Sequence, residues 1–138
     1  MEHPIMFDAA DPVLARVREI ALTLPMAREK TTFGRPTFFT GKTFATYSGG
    51  TKGAERIRYP QSVLFKPDAD ELPGLLADPR FFTPAYWGPA GWMGLDLAGG
   101  GDGDSPDAVD WTEVRELLDM SYRNTATKAL VKQLDAQS

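Results

Sequence analysis

The sequence predicts an α+β domain. Its expected form is a two-layer fold in which an antiparallel β-meander packs against N- and C-terminal helices. Three observations predict it. Apolar stripes at helical spacing sit at the two ends of the chain. Short runs rich in Phe, Thr, Tyr and Val, bounded by Gly and Pro, fill the middle. The connections between those runs are short, which argues for antiparallel pairing. Helices grouped around such a sheet make two layers. With 138 residues the chain reads as one domain, 1–138, long enough to bury a core.

Residues 1–10 read as a loose leader. Asp11-Pro12 then supplies an N-cap followed by proline at the first helical position. Leu14, Val17, Ile20, Ala21 and Leu24 form one stripe, and Pro25 ends the helix, which is expected over 12–24. Thr37 to Thr40 and Thr43 to Tyr47 read as two strands joined tightly at Gly41-Lys42. Ser48 to Gly53 is expected to be a flexible glycine loop. Ile57 to Tyr59 with Ser62 to Lys66 reads as a third strand, and Pro60 places it at an edge or a bulge.

Pro67-Asp68 starts a helix with Leu72, Leu75 and Leu76 as its stripe, weakened by Pro73-Gly74. Phe81 to Thr83 is a brief strand, and Pro84 to Gly91 a loop. Trp92 to Leu97 alternates, with Met93, Leu95 and Leu97 on one face and Trp92 on the other. Residues 98–109 are low in complexity and are expected to be a flexible loop. Asp110 caps a helix with Glu113 three positions on. Val114, Leu117, Leu118, Ser121 and Tyr122 form its stripe, Asn124-Thr125 breaks it, and Ala126 to Leu134 continues as a last helix with Leu130, Val131 and Leu134. No internal repeat is present.

The chain lacks cysteine, which excludes disulfides, thiolate metal sites and cysteine nucleophiles and fits a reducing compartment. No apolar run approaches the roughly 18–20 residues of a membrane span, and the first residues do not read as a signal peptide. The expected location is the cytoplasm, with no membrane partner. The single histidine, His3, lies in the leader, so a Ser-His-Asp triad and a clustered zinc site have no ligands to draw on. GDGDSPD resembles the start of a calcium loop but places Pro106 and Asp107 where a ligand and glycine belong. SGGTKG lacks the glycine spacing of a P-loop. No metal or cofactor is expected, and the protein is expected not to be an enzyme.

Charge is unevenly distributed. The net charge is −4, yet Arg28 to Lys66 carries eight basic and two acidic residues, a local +6. Within it Arg35, Lys42, Lys52, Arg56, Arg58 and Lys66 are candidates for a DNA- or anion-binding surface. The alternative is a solvated, charged sheet edge that resists aggregation. Tyr86, Trp87 and Trp92, in PAYWGPAGWMGLDL, are candidates for a ligand or partner surface or for stacking on the bases of a single strand. The plainer reading of these three is that they pack the sheet against the helices.

Three segments, FGRPTFFTGKTFA, LFKPDADELPGLLADPRFFTPAYWGPAGWMGLDL and VDWTEVRELLDMSYRNTATK, together resemble the MmcQ/YjbR-like family. These are small bacterial proteins of α+β fold, grouped with CyaY-like and secretion-chaperone-like architectures. The resemblance spans Pro12 to Leu134, with a longer Gly49–Arg58 loop and a glycine-rich insert at Gly99–Gly103. It implies DNA binding through a double-wing motif, and it supplies no catalytic residue. CyaY-like proteins are associated with iron through acidic helices. Helix one here carries Glu19 among Arg16 and Arg18, so that role is not carried over. The expected function is therefore a non-enzymatic binding protein that engages DNA weakly, without sequence preference, through a basic hairpin surface. The alternative is a protein- or small-ligand-binding module, including a homodimer, that uses Tyr86, Trp87 and Trp92.

Overall fold

A computed structural model describes residues 8–52, 56–98 and 106–137. Residues 1–7, with His3 and most of the expected leader, lie outside the described residues, as does most of the 98–109 loop. Helix α1 is Pro12–Ala21, and Asp11 caps it by accepting from the Val13 N–H at 2.9 Å. It ends earlier than its expected limit of 24. Near Pro25 the hydrogen bonds tighten from Thr23 N–H to the Ile20 carbonyl and from Leu24 N–H to the Ala21 carbonyl, and the Thr23 hydroxyl also takes the Ile20 carbonyl. Leu24 stays buried even so.

Strand β1 (Arg28–Thr32) went unread in the sequence because REKTT has no apolar alternation. It is a polar edge strand, joined to β2 (Arg35–Phe39) through Phe33-Gly34, both at positive φ. Two positive-φ residues between Thr32 and Arg35 make a hairpin turn whose twist matches the strands. Arg28 and Lys30 lie over the Phe39 ring, so the edge is cationic and partly covered.

Strand β3 is Thr43–Gly50 and β4 is Arg58–Phe65. The expected loop at Ser48 to Gly50 is strand instead: Gly49 pairs with Tyr59 and Gly50 with Arg58. These glycines serve close approach. A Cβ on Gly49 would lie 2.6 Å from Leu64 Cδ2, and one on Gly50 would lie 2.8 Å from the Ile57 carbonyl oxygen. A bulge between Tyr47 and Gly49 absorbs Pro60, so this proline sits at a bulge and not on the sheet edge. The Ser62 hydroxyl satisfies the bulge by accepting from Gly49 N–H and donating to the Tyr59 carbonyl.

A 3₁₀ turn (Ala69–Glu71) leads into α2 (Leu72–Ala77). Leu72 and Leu75 are half-buried against the core, whereas Leu76, expected in the stripe, is exposed. Strand β5 (Phe81–Phe82), a 3₁₀ turn (Gly88–Ala90) and β6 (Met93–Asp96) follow. The six strands are all antiparallel in the order β1-β2-β3-β4-β6-β5. The meander therefore holds only through β4, because the 83–92 connection places β6 beside β4 and sends β5 to the edge.

Helix α3 (Trp111–Thr125) starts at Asp110, whose carboxylate accepts from Glu113 N–H. Its buried residues are the five of the expected stripe. Helix α4 (Lys128–Gln137) begins two residues later than expected and buries Leu134, with Leu130 and Val131 half-buried.

Registry sorts the sheet into rows. Phe38, Ala45, Phe65 and Met93 align across β2, β3, β4 and β6, and Tyr47, Val63, Leu95 and Phe81 align in a second row. Both rows meet α1 and α3 in the main core. Thr37, Thr46, Leu64, Gly94 and Phe82 form the intervening row on the other face. That face builds a small second core from Leu64, Phe82 and Trp92, with Tyr59 and Trp87 packed against it.

Polar anchors tie the helices to the sheet. The buried Asp11 carboxylate accepts from Tyr47 Oη at 2.7 Å and from Gln61 Nε2 at 2.9 Å. Ser121 Oγ donates to the Phe44 carbonyl and accepts from Lys66 N–H, and Tyr122 Oη donates to the Pro25 carbonyl. Burial, and then the bond to Asp11, hold the Tyr47 hydroxyl well above the ordinary tyrosine range. Its contribution is therefore complete below the unfolded value of about 10 and is lost as pH rises beyond it. Tyr47→Phe should lower stability by about 1–3 kcal/mol at neutral pH. It should also make the decline of stability above about pH 10 shallower than in the wild type, measured by urea denaturation at a series of pH values.

Candidate functional site

One end of the sheet carries a cleft. It forms where the start of β2, the end of β3, the start of β4 and the 84–87 segment converge. Its lining includes Arg35, Lys52, Arg56 and Arg58 together with Tyr86 and Trp87. The cavity is about 230 Å³. Four of the six candidate cations thus share one site with two of the three candidate aromatics. The sequence offered the basic and aromatic groups as rival surfaces, and the fold makes them two walls of one cleft.

Backbone bonds build it. Thr51 N–H donates to the Ile57 carbonyl at 2.9 Å, and Ile57 N–H donates to Thr51 Oγ1 at 3.0 Å. These close the base of the segment that presents Lys52 and Arg56. Ala85 N–H donates to the Gly50 carbonyl at 2.8 Å and pins the aromatic wall to β3. Gly88 N–H donates back to the Pro84 carbonyl at 2.9 Å, closing a turn around Tyr86. Tyr86 holds φ +70 and is 84% exposed. A non-glycine residue in that region carries strain, and such strain clusters at functional sites.

Arg35 is the least exposed of the four cations. Its Nε donates to the carbonyl of Ser48, the bulge residue at φ +70, at 2.5 Å. Burial pushes its guanidinium below the ordinary arginine value, the nearby Arg58 charge lowers it further, and Tyr86 acts in the opposite sense. Two like charges held together in a half-buried cleft favour an anion between them. Among the described residues, none of the lining side chains is acidic. Other arginines of the chain engage carboxylates: Arg16 with Glu19, Arg18 with Glu29, Arg80 with Asp78 and Glu113, and Arg123 with Asp119 and Asp135.

The other three candidate residues do not join the cleft. Lys42 is exposed in the β2–β3 turn, and Lys66 follows the last residue of β4, so both sit at the opposite end of the sheet. Lys66 lines a separate shallow depression with Pro67, Leu72 and Asn124. Trp92 is a correction: at 6% exposure it belongs to the second core and offers no surface to a partner. Its role is to back the wall, with its ring centroid 4.6 Å from that of Trp87. Gly94 makes room for Phe82 in the same small core, since a Cβ there would run into the Phe82 ring. Sequence reading missed Ile57 as a lining residue, exposed and apolar beside the cations. Its position between Arg56 and Arg58 was the available signal.

A family model described as YjbR matches residues 22–124. No curated protein matches the chain, and no solved structure does.

The two aromatic roles predict opposite mutational behaviour. Trp92→Ala empties part of a core and should cost about 3–5 kcal/mol. Tyr86→Gly removes an exposed ring and relieves a positive φ, so its stability should stay within about 0.5 kcal/mol of wild type or rise. Denaturant titration of the two variants checks both values.

Proposed function

This chain belongs to the YjbR family; on that premise, we propose that it is a non-enzymatic binding protein that engages DNA weakly and without sequence preference. The contact is made by Arg35, Lys52, Arg56 and Arg58 to backbone phosphates. The observation that carries this reading is the convergence of these four cations on one cleft with no acidic lining residue among those described. Phosphate contacts fix position without reading bases, and a cleft built from guanidinium and ammonium groups suits that task. Its lining side chains offer cationic donors and aromatic rings, which suit the binding of phosphates.

Weak binding follows from the charge balance. Outside Arg28–Lys66 the chain carries a net −10, which repels a polyanion at long range. Attraction is then confined to about a Debye length, roughly 8–10 Å at physiological salt.

The test is binding to a labelled duplex by fluorescence anisotropy across a salt titration. Four phosphate contacts predict a log–log slope of about −3 to −4. Arg56→Ala combined with Arg58→Ala should weaken binding and make the slope shallower by about 2. Lys42→Ala combined with Lys66→Ala should change neither. An absence of binding at low salt overturns the proposal, and so does equal dependence on all six cations.

A further inference from the structure

We infer that the cleft seats one unpaired nucleotide, so that its preferred ligand is single-stranded nucleic acid and not duplex. The inference rests on the phosphate-binding reading above and names its ligand class. Three observations carry it. First, Tyr86 is 84% exposed and is held out from the surface at φ +70 by a turn fastened to Gly50 through Ala85. An exposed ring in a strained, hydrogen-bonded turn is not there for packing, because it buries almost nothing. Second, Tyr86 lines the same cleft as Arg35 and Arg58, so a flat aromatic face and a phosphate site share one space. Ile57, 52% exposed, adds apolar surface to the same cleft. Third, the cavity of about 230 Å³ falls below the usual range for drug-sized ligands and suits one ring with its phosphate.

A duplex can use only the cationic part of this arrangement. Its base faces are covered by stacking, and it presents only phosphates and groove edges to the cleft. A strand with unstacked bases supplies a phosphate to the arginines and a π-face to Tyr86. Every base has such a face, so the contact tolerates any sequence.

The experiment compares four labelled or competing probes at fixed low salt, with wild type, Tyr86→Ala and Tyr86→Phe. The probes are a single-stranded DNA, the duplex of the same sequence, the same single strand with abasic sites, and a free deoxynucleoside monophosphate as competitor. The single strand should bind about tenfold more tightly than the duplex. Tyr86→Ala and the abasic strand should each remove that advantage, Tyr86→Phe should keep it, and the salt slope should be unchanged in both variants. Equal binding of duplex and single strand, indifferent to Tyr86→Ala, overturns this inference and leaves the phosphate-binding proposal standing. Displacement of the strand by the monophosphate at equal concentration makes the cleft a mononucleotide pocket and also overturns it. Failure of every probe to bind overturns both readings together.

Discussion

The close approach of three backbone segments at Gly50 is the constraint on which the cleft depends. Gly49 lies under Leu64, Gly50 lies against the Ile57 carbonyl, and the Gly50 carbonyl receives the Ala85 N–H. A side chain at Gly50 would hold the β3 and β4 backbones apart, and one at Gly49 would displace the Leu64 side chain. Because both are absent, the end of β3 can touch the start of β4 on one side and the 84–87 turn on the other. Cations from one segment and rings from another then line the same space. The positive φ of Ser48 belongs to the same construction, since the bulge presents the carbonyl that fixes Arg35.

The two faces of the sheet divide the work of the fold. The helix-covered face holds the large core and the polar anchors at Asp11, Ser121 and Tyr122. Each anchor joins elements far apart in sequence and satisfies a buried polar group, so it fixes the helices in position at little desolvation cost. The opposite face has a smaller core whose job is local. Phe82 over Gly94, Trp92 beside it and Trp87 against Trp92 form a stack that ends at the cleft. The aromatic wall therefore rests on packed side chains, while Tyr86 projects beyond them.

Charge follows the same division. Arginines on α1, α3 and the segment before β5 engage carboxylates in surface ion pairs, each of small energetic worth. The cleft gathers Arg35 beside Arg58, where like charges crowd and burial lowers the Arg35 guanidinium. A chain with net −4 thus gathers four cations at one cleft, since distribution and not the sum sets the local potential.

The sequence by itself determined the helices with clear caps and stripes, the central strands, and the division of Trp92 from Met93 and Leu95. Those features depend on local periodicity and on capping groups, which any window of the chain displays. It also determined which cations and which aromatics to consider. Only the tertiary structure decided that β1 exists, since a polar edge strand is held by its neighbour and not by its own pattern. It alone turned Ser48 to Gly50 from an expected loop into strand, because glycine marks both flexibility and close approach and only the neighbouring chain tells them apart. It separated Lys42 and Lys66 from Arg35, Lys52, Arg56 and Arg58, and it buried Trp92 while exposing Tyr86. Those outcomes turn on contacts between residues distant in the chain, and a linear pattern carries no record of which distant segments meet.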